Sequence, residues 1–324
     1  VKTALLCRYG GIGDCLLNTS VANVLKKRGY EVDYVVGNPT FNISELFDNL
    51  DCFNNVFPAR RIMGMFEEFI EDTNGNWISS NIIKSTYDLP LDLKHSIENN
   101  SMYPNIAGQR LELRWFAYQN SNMQNWYDLS LGWAKIDPTT VPPEDKVPIY
   151  RIKEDELEWA KSVLPEGSPI LGVQAQASSL VRTWYRADEF PQTLIENFDG
   201  CVVAFYRGTS WFVRKGNSIT KIDFPEGKNR VRHSAALISL FDAFIAVDSG
   251  MAHIAEAVGT KSVVIYLTVP AWTRSQYYKL TYPIEPDESV WCHPCFDLNR
   301  YCWRIEKDVE NDLSDREKKL LELK

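Results

Sequence analysis

No stretch of these 324 residues approaches the twenty or so consecutive apolar residues that span a bilayer. The N-terminus also lacks the basic-then-apolar layout of a signal peptide. The expectation is a soluble, cytoplasmic protein. Basic residues are in deficit, 35 against 43 acidic for a formal charge of −8, which excludes a surface that coats nucleic acid nonspecifically. Cysteines are too few and too scattered for a secreted disulfide framework. Of seven, Cys7, Cys15, Cys52 and Cys201 stand alone, as expected of reduced thiols. Internal repeats and low-complexity tracts are absent as well.

What is present is an ordinary globular composition, 44% hydrophobic and 24% charged, in a chain longer than one core usually serves. Two domains are expected. The most informative local feature is Arg8-Tyr9-Gly10-Gly11-Ile12-Gly13-Asp14, which follows the apolar run Thr3–Cys7. Glycines let the backbone turn sharply and approach a ligand, and the helix turn behind them offers free N–H groups to an anion. A dinucleotide fingerprint needs a third glycine, but Leu16 stands in its place, although Asp33 lies roughly twenty residues on, where a ribose-binding acid would be. A ligand-free strand-to-helix turn, with Asp14 as an N-cap, is the alternative reading.

Apolar spacing predicts a strand near Lys2–Arg8, a helix near Asp14–Lys27 ended by Gly29, and a strand at Glu31–Val36. That is a β–α–β unit of a parallel sheet. Between Phe41 and Tyr127 the pattern is weaker, with a strand near Tyr87–Leu93 and a helix near Gln109–Tyr118. Residues Asp137–Pro148 carry four prolines and read as an extended connector. Beyond it the expected elements are a helix at Glu154–Leu164, strands at Pro169–Gln174, Cys201–Tyr206 and Ile219–Ile222, helices near Asp188–Asn197 and His233–Leu240, and strands at Ala243–Val247 and Ser262–Tyr266. Asp308–Lys324 reads as a charged amphipathic helix.

A second loop with the chemistry of a site lies at Asp248-Ser249-Gly250-Met251-Ala252-His253, where an apolar strand runs into a helix. Free amides at Gly250 and Met251, a serine hydroxyl and the helix dipole make an anion cradle. Upstream, Ser178, Ser179 and Arg182 follow another strand and add hydroxyls and a guanidinium. Loops of this kind after parallel strands converge on one crevice. Two further features have competing readings. Cys292, His293, Cys295 and Cys302 have the spacing of a zinc site, but His293 lies between the first two cysteines, so a packed or redox-sensitive loop competes with metal. Between Arg207 and His233 seven basic residues face two acidic ones, either a solvated face or a patch for phosphates.

Together these segments resemble glycosyltransferase family 9, the ADP-heptose:lipopolysaccharide heptosyltransferase-like enzymes. The resemblance rests on Gly11-Ile12-Gly13-Asp14, on Arg182-Thr183-Trp184 before Asp188-Glu189-Phe190, and on Asp248–His253 with Ala255, Ala257 and Gly259. Cys292-x-Pro294-Cys295 is similar to a cysteine cluster of many members. Two departures stand out: Leu267-Thr268-Val269-Pro270 replaces the usual Gly-Pro-Thr, and Arg182 replaces the phosphate-binding lysine.

The resemblance implies an α/β GT-B fold, two Rossmann-like domains with parallel sheets facing across a cleft. Residues 1–145 would bind acceptor, 146–305 the nucleotide sugar, and 306–324 would form a C-terminal helix packing back on the first domain. It implies inverting, metal-independent transfer from an ADP- or UDP-sugar to an acceptor hydroxyl, with Asp14 as general base. Ser178, Ser179, Arg182, Asp248, Ser249, Gly250, Met251 and His253 would hold the donor, Asp248 and His253 chiefly by bracing the loop. Gly11, Gly13, Arg60 and Arg61 would serve the acceptor side. No cofactor is expected, and the absence of any Asp-x-Asp pair agrees with arginine and helix amides in place of a divalent ion. The acceptor implied is a glycan or lipopolysaccharide-type saccharide. The basic run with Arg60 and Arg61 motivates a modified DNA base as an alternative, and an epimerase or a non-catalytic nucleotide-sugar sensor are rivals on the same architecture. Trp184, Trp211 and Trp272 are candidates to stack on a sugar or base.

Overall fold

The computed structural model describes residues 1–37, 43–61, 68–71, 77–79, 86–93, 125–177, 180–184, 190–206, 210–215, 218–227, 229–287 and 293. It contains two sheets, each built outward from one buried strand.

The first sheet starts with β1 (Lys2–Tyr9). Residues Ala4 to Cys7 are all buried, which requires cover on both faces and so favours parallel neighbours with helical crossovers. Helix α1 (Ile12–Lys27) follows and ends where Gly29 takes a φ of +84°. The chain returns as β2 (Tyr30–Gly37), parallel to β1 with Lys2 opposite Tyr30. Next come β3 (Asn55–Arg61), β4 (Glu68–Glu71), β5 (Trp77–Ser79) and β6 (Leu89–Asp92), giving the order β5-β4-β3-β2-β1-β6. At Gly37 a Cβ would stand 2.6 Å from both Ala59 O and Tyr9 Cδ2. Only glycine lets the strands approach that closely.

Helix α2 (Trp126–Trp133) packs on α1, and Asn125 caps it by accepting from the Tyr127 amide. The proline-rich connector is not a free extended strap. It forms short helical turns at Pro138–Thr140 and Pro143–Asp145, and it docks on α1 where the Ile149 amide donates to Thr19 Oγ1 and Lys27 pairs with Asp145.

The second half adds α3 (Glu154–Val163), β7 (Ile170–Gln174), α4 (Phe190–Asn197), β8 (Cys201–Tyr206), β9 (Ser210–Lys215) and β10 (Ser218–Ile222). Helix α5 (Arg230–Ser239), β11 (Ala243–Val247), α6 (Gly250–Ala257), β12 (Ser262–Ile265), the single turn α7 (Trp272–Ser275) and β13 (Thr281–Ile284) complete it. The strand order is β10-β9-β8-β7-β11-β12-β13.

Neither sheet is wholly parallel. Strands β4 and β5 run antiparallel at one edge of the first, and β9 and β10 do so in the second. The parallel part of each sheet reverses its winding once, between β1 and β6 and between β7 and β11. Crevices that bind ligands form outside the carboxyl ends of strands at such reversals. Both glycine-bearing loops lie there, one after β1 and one after β11.

The sequence-predicted helices at Gln109–Tyr118 and 306–324 lie outside the described residues. Among those described, no helix is long and apolar enough to cross a membrane.

Candidate functional site

The two helices that begin at these switch points meet end to end. A Cβ on Gly250, the first residue of α6, would stand 2.9 Å from Ile12 Cβ and 3.2 Å from the Gly13 amide nitrogen. Glycine at 13 and at 250 therefore lets two helix N-termini from different sheets touch. Each N-terminus carries first-turn amides to which an α-helix itself gives no partner, and the positive end of its dipole, so the seam attracts an anion from both sides.

Asp14 is not the N-cap of α1. Gly11 holds that position, and Asp14 sits in the first turn, its Oδ2 accepting from the Gly11 amide at 3.0 Å. The other oxygen, Oδ1, lies 3.7 Å from Nη2 of the fully buried Arg8, whose Nη1 donates to Leu93 O. Asp14 keeps about a quarter of its side chain open, at 27% exposure. It is a carboxylate held in place from behind and accessible in front.

Asp248 does not cap α6 either. Ser249 occupies the cap position, and its hydroxyl donates to Gln174 Oε1 at 2.8 Å, tying the ends of β7 and β11 together. The Asp248 carboxylate is buried between two guanidiniums, with Oδ2 3.9 Å from Arg182 Nη1 and 3.9 Å from Arg274 Nε. Arg182 also donates to the Asp248 backbone carbonyl at 3.2 Å. Sequence reasoning missed Arg274. It lies on a single turn with no helical periodicity, and its guanidinium stacks on the Trp126 ring of α2.

His253, one turn into α6, presses its ring on Gly13: a Cβ there would meet His253 Cδ2 at 2.7 Å. Its Nδ1 lies 2.5 Å from Tyr278 Oη. Burial lowers its pKa. Asp248 and Asp14 oppose that shift, and Arg274 and Arg182 add to it. Around the seam the halves are joined further by Asn125 Nδ2 donating to Trp272 O, and by Asp128, which pairs with Lys146 at 2.8 Å and accepts from Tyr277 Oη at 2.6 Å.

Gly11, Gly13, Asp14, Arg182, Asp248, Ser249, Gly250, Met251 and His253 thus belong to the two loops or to the helices behind them. Ser178, Ser179, Cys292, Cys295 and Cys302 lie outside the described residues, as do the side chains of Arg60 and Arg61 in β3. Trp211 is fully buried, donating to Ser234 Oγ, which removes it as a stacking platform; Trp184 is half-buried and Trp272 exposed. The basic run is not one solvated face. Arg232 is buried against Glu156, Lys215 donates to Ser168, and Lys221 pairs with Asp223. Cys7, Cys15, Cys52 and Cys201 are buried thiols outside any disulfide. Among the described residues no group of three or more His, Cys, Asp or Glu side chains could hold a metal ion.

Residues 226–297, which contain β11, α6 and β12, match the model of glycosyltransferase family 9 (heptosyltransferase). A search of curated proteins finds no match. Among solved structures the chain is similar to ADP-heptose lipopolysaccharide heptosyltransferase II of E. coli, at 15% identity and a TM-score of 0.54 over 92% of this chain and 95% of that one. It is also similar to a glycosyltransferase family 9 protein of Veillonella parvula, at 14% identity and a TM-score of 0.57 over 97% and 90%. A third is the dodecameric, iron-containing heptosyltransferase TibC of E. coli in complex with ADP-D-β-D-heptose, at 9% identity and a TM-score of 0.52 over 93% and 68%. At these identities the likeness is one of fold, and that fold is GT-B.

Proposed function

We propose that this chain, a glycosyltransferase by its family 9 segment and its GT-B fold, moves a sugar from a nucleotide diphosphate donor to an acceptor hydroxyl at the seam between α1 and α6. The observation that carries this reading is the contact of Gly13 with Gly250. It puts an anion-attracting helix N-terminus within a residue of an open carboxylate.

On the donor side, the diphosphate would lie on the amides of Gly250 and Met251 and against Arg182. Arg182 is a fifth exposed and already tethered to the Asp248 loop. These groups stabilise the negative charge that grows on the leaving diphosphate, where fixed dipoles need no reorganisation as the bond breaks. Asp248 is the inner partner that aims both Arg182 and Arg274. An ADP- or UDP-sugar fits this arrangement; TibC, the neighbour solved with a donor, holds an ADP-heptose.

On the acceptor side, Asp14 would take the hydroxyl proton as oxygen bonds to the anomeric carbon. Because removal of the proton accompanies bond formation, an ordinary carboxylate suffices as base. The Arg8 guanidinium and the Gly11 amide hold the carboxylate in place. Attack from the Asp14 side with departure toward α6 inverts the anomeric centre. The acceptor we assign is a saccharide hydroxyl, by likeness to the lipopolysaccharide heptosyltransferase of similar fold.

The test pairs a donor screen with one substitution. Nucleotide sugars are ranked by how far they raise the melting temperature, since a bound donor stabilises the native state by mass action. The best is then assayed with Asp14→Asn, for which we expect retained binding and a loss of turnover of about 10²–10⁴. Unchanged turnover would remove Asp14 from the base role.

A further inference from the structure

Asn125, the cap of α2, and the three residues after it all grip one short stretch of the second half. Asn125 Nδ2 donates to Trp272 O at 2.7 Å, and the Arg274 guanidinium lies over the Trp126 ring. Tyr127 Oη meets Tyr278 Oη at 2.6 Å, and Asp128 accepts from Tyr277 Oη at 2.6 Å. Three of these contacts are hydrogen bonds that fasten the halves together. The Trp126 contact differs, because its partner runs on to the Asp248 loop.

Arg274 is 2% exposed. A guanidinium withdrawn from water is tolerated where an opposite charge or an aromatic face answers it. Arg274 has both, the Trp126 ring and the Asp248 carboxylate, whose Oδ2 lies 3.9 Å from Arg274 Nε. Arg182 Nη1 stands at the same 3.9 Å from the same oxygen. Among the described residues that buried oxygen accepts no hydrogen bond, so two cations share it at equal distance. Their surroundings set them apart: Arg274 is buried and stacked, whereas Arg182 keeps 21% of its side chain open.

Two guanidiniums against one carboxylate leave a surplus of one positive charge, and Arg182 is the member that can present it outward. Asp14 does not cancel that surplus, since it has Arg8 as its own partner at 3.7 Å. Without the Arg274 charge the pair of Arg182 and Asp248 is neutral. Asp248 then becomes the counterion of Arg182 alone and draws it inward, an attraction that burial strengthens.

We propose that Arg274 and Trp126 are positioning residues: Trp126 holds Arg274 against Asp248, and Arg274 answers the Asp248 charge so that Arg182 is left for a diphosphate. That the diphosphate belongs to a nucleotide sugar rests on the transferase reading above; the charge balance does not. The anion grip of the second half thereby depends on a residue of the first half that acts only through Arg274. Undocking of α2 weakens that grip.

The test is calorimetric titration of the full chain with ADP, UDP and inorganic pyrophosphate. Arg274→Met fills the place beside Trp126 without the charge, and it should lower affinity for the best of the three probes about tenfold or more. Adding Asp248→Asn removes the carboxylate that would capture Arg182. The double variant should return to within about threefold of the wild type, a rescue that a merely structural role for Arg274 would not give. Trp126→Leu should lose about fivefold or more, and Trp126→Phe, which keeps an aromatic face, should stay within about threefold. Should Arg274→Met fail to fold by its melting curve, Arg274→Lys and Asp248→Asn alone are read in its place. Both should bind within about threefold of the wild type or tighter, and weaker binding by Asp248→Asn overturns the proposal. It is overturned equally by wild-type affinity in Arg274→Met, by no rescue in the double variant, or by a wild type that binds none of the three probes. Wild-type affinity in Trp126→Leu removes Trp126 from the chain of contacts. Failure of the transferase reading looks different: pyrophosphate binding follows this pattern while the wild type turns over no nucleotide sugar.

Discussion

Arg232 of α5 and Glu156 of α3 form a buried ion pair that also holds the two halves of the chain together. Arg232 Nη2 donates to Glu156 Oε2 at 3.0 Å, and Nε donates to Oε1. From the same guanidinium Nη1 reaches Glu45 O at 2.8 Å and Asn49 Oδ1 at 3.2 Å, both in the first half. The other Glu156 task is local: its Oε2 accepts from the Lys153 amide and caps α3. Removing the arginine leaves a buried carboxylate with only the Lys153 amide of these three hydrogen bonds. Arg232→Ala should therefore destabilise the protein by about 3–5 kcal/mol, and Arg232→Met by less, because its side chain refills the space without restoring the charge. Chemical denaturation of both variants measures the difference.

Gly13 is the tightest point of the seam. An alanine methyl there would meet the His253 ring at 2.7 Å, and that ring cannot simply swing away because Tyr278 holds Nδ1. Gly13→Ala should cost about 1–3 kcal/mol, in the range of overpacked cores. It should also weaken nucleotide binding. Gly132→Ala, at a position where a Cβ meets nothing within 4 Å, is the control and should leave binding unchanged. Melting curves with and without ADP read both effects.

Much of this arrangement was legible in the sequence, and the reasons are physical. Strands buried on both faces, such as β1 and β11, announce themselves as continuous apolar runs bounded by glycine. Helix α1 shows its spacing through Leu17, Val21 and Leu25 and its end through Gly29. The boundaries of β8 at Cys201 and Tyr206 are those the sequence predicts. The antiparallel edges were not legible: β9 alternates only weakly, and its burial depends on β8 and β10. Charge runs mislead for a related reason. Arg232 stands in a basic stretch, but its fate is decided by Glu156, 76 positions away. The roles of Asp14 and Asp248 relative to the caps turned on a shift of a few residues in helix start, which single-sequence reasoning does not resolve. Arg274 and Tyr278 carry no local signal, because only the meeting of the halves gives them partners.

The four described cysteines make a separate prediction about reactivity. The Cys52 thiol is pushed by burial up to about 12, and burial raises Cys201 as well. The thiolate is the reactive form, so neither should alkylate at a useful rate in the folded protein near neutral pH. Iodoacetamide followed by peptide mass mapping should leave Cys7, Cys15, Cys52 and Cys201 unmodified until denaturant is added. Rapid modification of Cys52 without denaturant would show that its surroundings open locally.

His253 gives the protein a component of acid sensitivity with a definite sign. Burial lowers its folded pKa; the Asp248 and Asp14 charges oppose that and Arg274 and Arg182 add to it. In the unfolded chain a histidine titrates near ~6.5. As pH falls through that value, the unfolded state takes up its proton first, while the folded state still resists. The stability that the neutral ring contributes is therefore complete above about 6.5 and is lost progressively as pH drops toward the folded value. Urea unfolding followed from about pH 8 down to about pH 5 should show this loss in the wild type, and His253→Gln, which has nothing to protonate there, should show a smaller slope in that window. Identical slopes would mean that the ring can be protonated in place, and hence that the seam behind Gly13 is wetter than its packing implies.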